Sequence, residues 1–147
     1  MAAPDFYFCI NATARHIRDH YGKDGLVAYW RSLAREYYRR RIDVWRAGGL
    51  QAVADDWRTY FAKEPNASVD VTVKDDAVEL DVKVCPAIKH LREHSRDIVL
   101  YFCEHCDQMC GEMAEFTGFI FRREGFDGAC RQWFIRDDRC EMERVGC

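Results

Sequence analysis

Apolar residues recur at intervals of three and four along the first half of the chain, and at intervals of two over part of the second. The first period predicts helices and the second predicts strands. A short helix is expected over residues 12–21, ending at Gly22. From Asp24, an N-cap candidate, a long helical pattern runs to about Arg46. Its apolar stripe is Val27, Trp30, Leu33, Ala34, Tyr37, Val44 and Trp45. Gly48-Gly49 ends that pattern. A further amphipathic helix then carries Leu50, Val53, Trp57, Tyr60 and Phe61 on one face and closes at Pro65-Asn66.

The period changes at Val69. Val69, Val71 and Val73 alternate with polar residues, Asp75-Asp76 turn the chain, and Val78, Leu80, Val82 and Val84 alternate again. This predicts a β-hairpin with one apolar face. Pro86 suits the first turn of a short helix reaching about His94. Residues 98–117 are expected to be helical, entered through an extended stretch at 99–102, with Gly118 as the stop. Residues 119–122 and 130–135 read as two further strands joined by a turn over 124–128. The expected fold is α+β, with N-terminal helices packed on a four-stranded, mainly antiparallel sheet.

At 147 residues the chain has the size of one domain, with 48% hydrophobic and 32% charged residues. The net charge of −3 carries no basic footprint for nucleic acid. Arg39-Arg40-Arg41 falls inside a helical pattern and reads as a solvated face. No stretch is long and apolar enough for a membrane span. The first residues lack a basic n-region, so a cytoplasmic location is expected. Eight cysteines in a reducing compartment point to free thiols, used for metal binding or catalysis rather than disulfides. Cys9, Cys140 and Cys147 read as incidental, whereas Cys85, Cys103, Cys106, Cys110 and Cys130 crowd the second half.

The chemistry concentrates there. Cys103 and Cys106 have the spacing used for zinc and for thiol redox chemistry. Cys110 continues the same helix side and reads as core. Glu104 and His105, between the two functional cysteines, bring acid–base groups to the same turn. A position at a helix N-terminus would favour thiolate. Cys85, at a strand-to-helix junction, and Cys130, at a strand start, could face this turn. Cys85, Cys103, Cys106 and Cys130 then form a candidate zinc site, closed with four cysteines or open with three ligands and a water. Among the histidines, His105 is the strongest candidate base. His90 is balanced between site and surface, and His16, His20 and His94 read as exposed.

Three motifs carry a resemblance. Cys85-Pro86-Ala87-Ile88, Tyr101-Phe102-Cys103-Glu104-His105-Cys106 and Glu124-Gly125-Phe126-Asp127-Gly128-Ala129-Cys130-Arg131-Gln132-Trp133-Phe134 resemble the L-2-amino-thiazoline-4-carboxylic acid hydrolase-like family over roughly residues 25–136. The last motif is also similar to 4-vinyl reductase-like small-ligand domains, some of which hold zinc through cysteines. The first resemblance implies a hydrolase that opens a cyclic amidine. The family often places Asp after Phe-Cys-Glu, where this chain has His105.

In such a reaction Cys106, or alternatively Cys103, would attack while His105 accepts its proton. Alternatively, zinc on Cys85, Cys103 and Cys130 would activate water. Glu104 would shuttle protons and Arg131 would pair with a substrate carboxylate. The competing reading is a non-catalytic sensor or binding module for a small molecule, built on the same fold with a structural zinc, with Phe102, Phe121 and Trp133 lining its pocket. A thiol oxidoreductase ranks below both, because the βαβ context of a thioredoxin-like motif is missing. Tyr37, Tyr38 and Trp45 are candidates for a homodimer face or for core.

Overall fold

The computed structural model describes residues 4–138, so Cys140 and Cys147 lie outside the described residues. The elements are α1 (Pro4–Glu36), α2 (Arg39–Phe61), β1 (Ser68–Val73), β2 (Ala77–Val84), α3 (Pro86–Glu93), α4 (Glu104–Glu115), β3 (Phe119–Phe126) and β4 (Ala129–Arg136). The strands form one antiparallel sheet in the order β1-β2-β4-β3. The expected α+β architecture is the one observed. No helix among the described residues is long and apolar enough to cross a membrane.

The first helix starts earlier than its pattern predicts, at Pro4, and kinks at Gly22 (φ 71°). The long pattern expected over 24–46 is two helices rather than one, because the chain turns at Tyr37-Tyr38. That turn resets the helical phase. Tyr37 and Val44, expected in the apolar stripe, are 70% and 51% exposed, while Trp45 is fully buried. Trp45 therefore belongs to the core and not to a dimer face.

Period-two alternation settles which sheet face is buried. Val78, Leu80 and Val82 on β2 stand opposite Phe134, Gln132 and Cys130 on β4. All but Cys130 are buried. The ring of Phe134 meets Trp45 at 5.1 Å, Phe121 at 5.1 Å and Trp57 at 6.1 Å between centroids. Burying each such side chain stabilises the fold by about 1.5–3 kcal/mol. The outer face carries polar pairs. Arg131 faces Asp81 at 3.8 Å, and the Trp133 indole donates to Glu79 at 2.8 Å.

Two long-range ties hold α1 against the second half of the chain. Asn11 donates to the Asp97 carbonyl (2.8 Å) and accepts from the Val99 N–H (3.1 Å). These bonds hold residues 97–99 outside any helix, which is why α4 starts at Glu104 rather than near Ile98. Buried Glu112 on α4 pairs with Arg35 at 3.0 Å and Arg31 at 3.6 Å.

The β3–β4 connection is a two-residue turn, Asp127-Gly128, with φ of 66° and 100°. Positive φ at both positions is what the favoured hairpin turn requires, and Asp-Gly supplies it. The strand β3 consequently extends to Phe126, past the turn expected over 124–128. A Cβ at Gly128 would lie 3.1 Å from Ile88 Cγ2, so the turn also seats closely on α3.

Gly128→Ala should therefore destabilise by about 1–2 kcal/mol. Gly111→Ala, in α4 with open space around the new methyl, should stabilise by up to about 1 kcal/mol. Urea denaturation of both variants checks this contrast. Equal effects of the two substitutions would contradict the assignment of the turn.

Candidate functional site

Between the apolar sheet face and helices α1, α2, α3 and α4 lies a cavity of about 170 Å³. Aromatic and aliphatic side chains make up most of its wall, including Trp30, Leu33, Trp57, Phe102, Met109 and Met113. Six described cysteines carry free thiols, and five of them line the cavity: Cys85, Cys103, Cys106, Cys110 and Cys130. Exposed Cys9 does not.

Local sequence explains how each thiol arrives. Pro86 holds the preceding residue extended and opens α3, so Cys85 becomes its N-cap (φ −73°, ψ 121°). The Cys85 N–H donates to the Gly128 carbonyl at 2.8 Å, which joins the β2–α3 junction to the hairpin turn. Cys130 stands opposite Val82 and Gly125 on the inner face, and Gln132 Nε2 donates to its sulfur at 3.4 Å. Cys103 is the N-cap of α4, with Cys106 and Cys110 following one and two turns later. The thiols thus enter from three walls.

Burial sets their protonation. The Cys106 thiol is pushed well above 9 by burial, reinforced by its four neighbouring cavity thiols. Burial pushes Cys110 up to about 12 and raises Cys85 and Cys130. The backbone N–H groups of Ala87 and Ile88 pull Cys85 the other way, without reversing the sign. Burial alone lowers His105 to about 4. The α4 N-terminus does not yield a thiolate at Cys106, because desolvation of the charged form outweighs it. His105 Nδ1 lies 4.0 Å from Cys106 Sγ, as a neutral imidazole beside a neutral thiol.

Phe102, Cys103, His105 and Cys106 thus meet Cys85 and Cys130 in one cavity. Glu104 is not among the residues lining it. Arg131 and Trp133 are on the outer sheet face, engaged with Asp81 and Glu79, because alternation along β4 sends Cys130 and Gln132 inward instead. Phe121 packs on Phe134 in the core. His90 is buried, with its ring 4.1 Å from that of His94, which is exposed, as are His16 and His20.

Two arginines were not legible as site residues. Arg41 does not sit on a solvated face. Its side chain is only 17% exposed and pairs with Asp56 at 2.7 Å. Its guanidinium lies 5.0 Å from the Tyr38 ring, 5.1 Å from Trp57 and 5.8 Å from Tyr60. The available signal was an arginine at helical spacing from Tyr38 and Trp45. Arg123, also in the cavity wall, binds both Asp107 oxygens at 2.8 and 2.6 Å. Nothing in the strand pattern of β3 pointed to it.

Among the described residues, no group of three or more His, Cys, Asp or Glu side chains could hold a metal ion. The thiols share a cavity but enter it from separate walls.

The displaced histidine has a consequence for stability. With a folded-state pKa of about 4 against 6.5 unfolded, only the unfolded state takes up the His105 proton between those values. Stability from this group is full above pH 6.5 and is lost as pH falls toward 4, by about 3 kcal/mol in all. His105→Phe should flatten the dependence of unfolding free energy on pH between 4 and 6.5. Parallel curves for the two proteins would contradict a buried neutral imidazole.

No family model matches the chain, and no curated protein matches it.

Proposed function

We propose that this chain is a small-molecule-binding module, a sensor or carrier domain whose ligand occupies the cavity between the helices and the inner sheet face. The observation that carries this reading is an apolar cavity of about 170 Å³ walled by aromatic side chains and protonated thiols. An apolar cavity of about 150 Å³ takes up benzene. The space therefore suits a ligand whose apolar body is about one ring in size. Protonated thiols behave as small polarisable hydrophobes, which suits them to a binding wall.

The second reading, a hydrolase with Cys106 as nucleophile and His105 as base, draws on their 4.0 Å approach. It requires a proton to move from a thiol with a pKa well above 9 to an imidazole with a pKa near 4. Burial shifts both groups against that transfer. This ranks the hydrolase below the binding module.

Toluene is a suitable neutral probe. At several times its Kd it should stabilise the protein by about 1 kcal/mol, raising Tm by roughly 2–4 °C. It should also slow alkylation of Cys85, Cys106 and Cys130 by N-ethylmaleimide, while exposed Cys9 reacts at an unchanged rate. No change in Tm together with no protection would overturn the binding reading. Turnover of 2-aminothiazoline-4-carboxylate that disappears in Cys106→Ser would establish the hydrolase instead.

A further inference from the structure

The donors available in the cavity wall specify more than an apolar ligand. Arg123 is already committed, with Asp107 bound bidentately and a further bond to the Gly125 carbonyl. Gln132 donates to Cys130. Trp57 is different. It lines the cavity and is 8% exposed, yet its indole Nε1 has no hydrogen-bond partner among the described residues. The indoles of Trp45 and Trp133 both reach carboxylates, Asp56 and Glu79. A buried donor left unpaired is unfavourable by about 1–3 kcal/mol. The indole N–H is enclosed without an acceptor, and a ligand oxygen reaches it only by moving the atoms packed around it.

The charge beside that donor selects the kind of acceptor. The Arg41 guanidinium lies over the Trp57 ring at 5.1 Å and is boxed by Tyr38 and Tyr60. Its Nε faces Asp56, whose same carboxylate oxygen also accepts from Trp45. Arg41 carries further N–H donors on its two terminal nitrogens. A protonated amine or a plain hydrocarbon offers no acceptor and would leave the indole unpaired. A carboxylate satisfies both groups, through a charge-assisted bond to arginine and an acceptor for the indole.

We propose that the cavity binds a small apolar carboxylic acid, aromatic or branched aliphatic, with its carboxylate held by Arg41 and Trp57. This assignment rests on the binding-module reading and adds the ligand's chemical class and its orientation. The apolar body then lies against the thiols and the Met109–Met113 side of α4. The cavity volume limits that body to about one ring.

The test uses the full chain, labelled with ¹⁵N and titrated separately with toluene and with phenylacetate. One indole N–H resonance, identified by its absence from Trp57→Phe, should move downfield with phenylacetate and stay in place with toluene. The phenylacetate-to-toluene affinity ratio should fall about ten-fold in Trp57→Phe and again in Arg41→Met, the size expected for hydrogen bonds to a charged group. Should Arg41→Met not fold, Arg41→Lys keeps the charge but loses the fork, and the wild-type indole shift decides alone. A stationary indole resonance and an unchanged ratio, with toluene still bound, would overturn the carboxylate and leave the binding module standing. Failure of both compounds to bind would remove both.

Discussion

The inner face of the sheet has to be covered, and α2 covers it. Phe134, at the centre of β4, packs against Trp45 and Trp57 from successive parts of that helix, with Phe121 beside it on β3. This aromatic cluster fixes the height and angle at which α2 crosses the sheet. The same helix presents Arg41, Trp57 and Tyr60 to the space beside the cluster. The remaining walls follow from that placement: α1 packs against α3 and α4, and Asn11 and the Glu112 arginine pairs hold α1 to the second half of the chain. The cavity is thus the part of the helix–sheet interface that the large side chains do not fill.

Desolvation is the second constraint, and it governs the chemistry. Thiols and an imidazole that would be versatile in water are held neutral once the surrounding elements close. The helix N-termini at Cys85 and Cys103 act in the opposite direction, yet burial decides the sign at Cys85 and at Cys106. A cysteine-rich motif therefore becomes a soft apolar wall. The charged groups that do reach the wall, Arg41 and Arg123, each come with a carboxylate, Asp56 and Asp107.

Local pattern made the architecture legible. Alternating valines announced the first hairpin, and a glycine-containing turn between two apolar runs announced the second, although its two-residue Asp127-Gly128 form did not show. Pro86 marked the α3 start, and the clustering of Cys85, Cys103, Cys106 and Cys130 in one place was readable from their positions around these elements. What escaped depends on contacts between distant residues. The turn at Tyr37-Tyr38 carries no glycine or proline, so one continuous helix was the natural reading. The late start of α4 follows from bonds made by Asn11, 86 residues before Asp97. Arg41 looked like one of three surface arginines, because its neighbours Trp57 and Tyr60 approach only once α2 has bent at Gly49. Arg131 and Trp133 were misleading for the opposite reason: their residue types suit a site, but strand parity turns them away from it.

The molecule holds a mainly apolar cavity beside the Trp57 and Cys106 walls. Crystallography under xenon pressure tests it most directly, since xenon enters apolar cavities of this size and leaves polar, hydrated ones. The account predicts one xenon site bounded by Trp57, Met109, Cys106 and Cys130. Ordered waters hydrogen-bonded across that space, with no xenon bound, would contradict it.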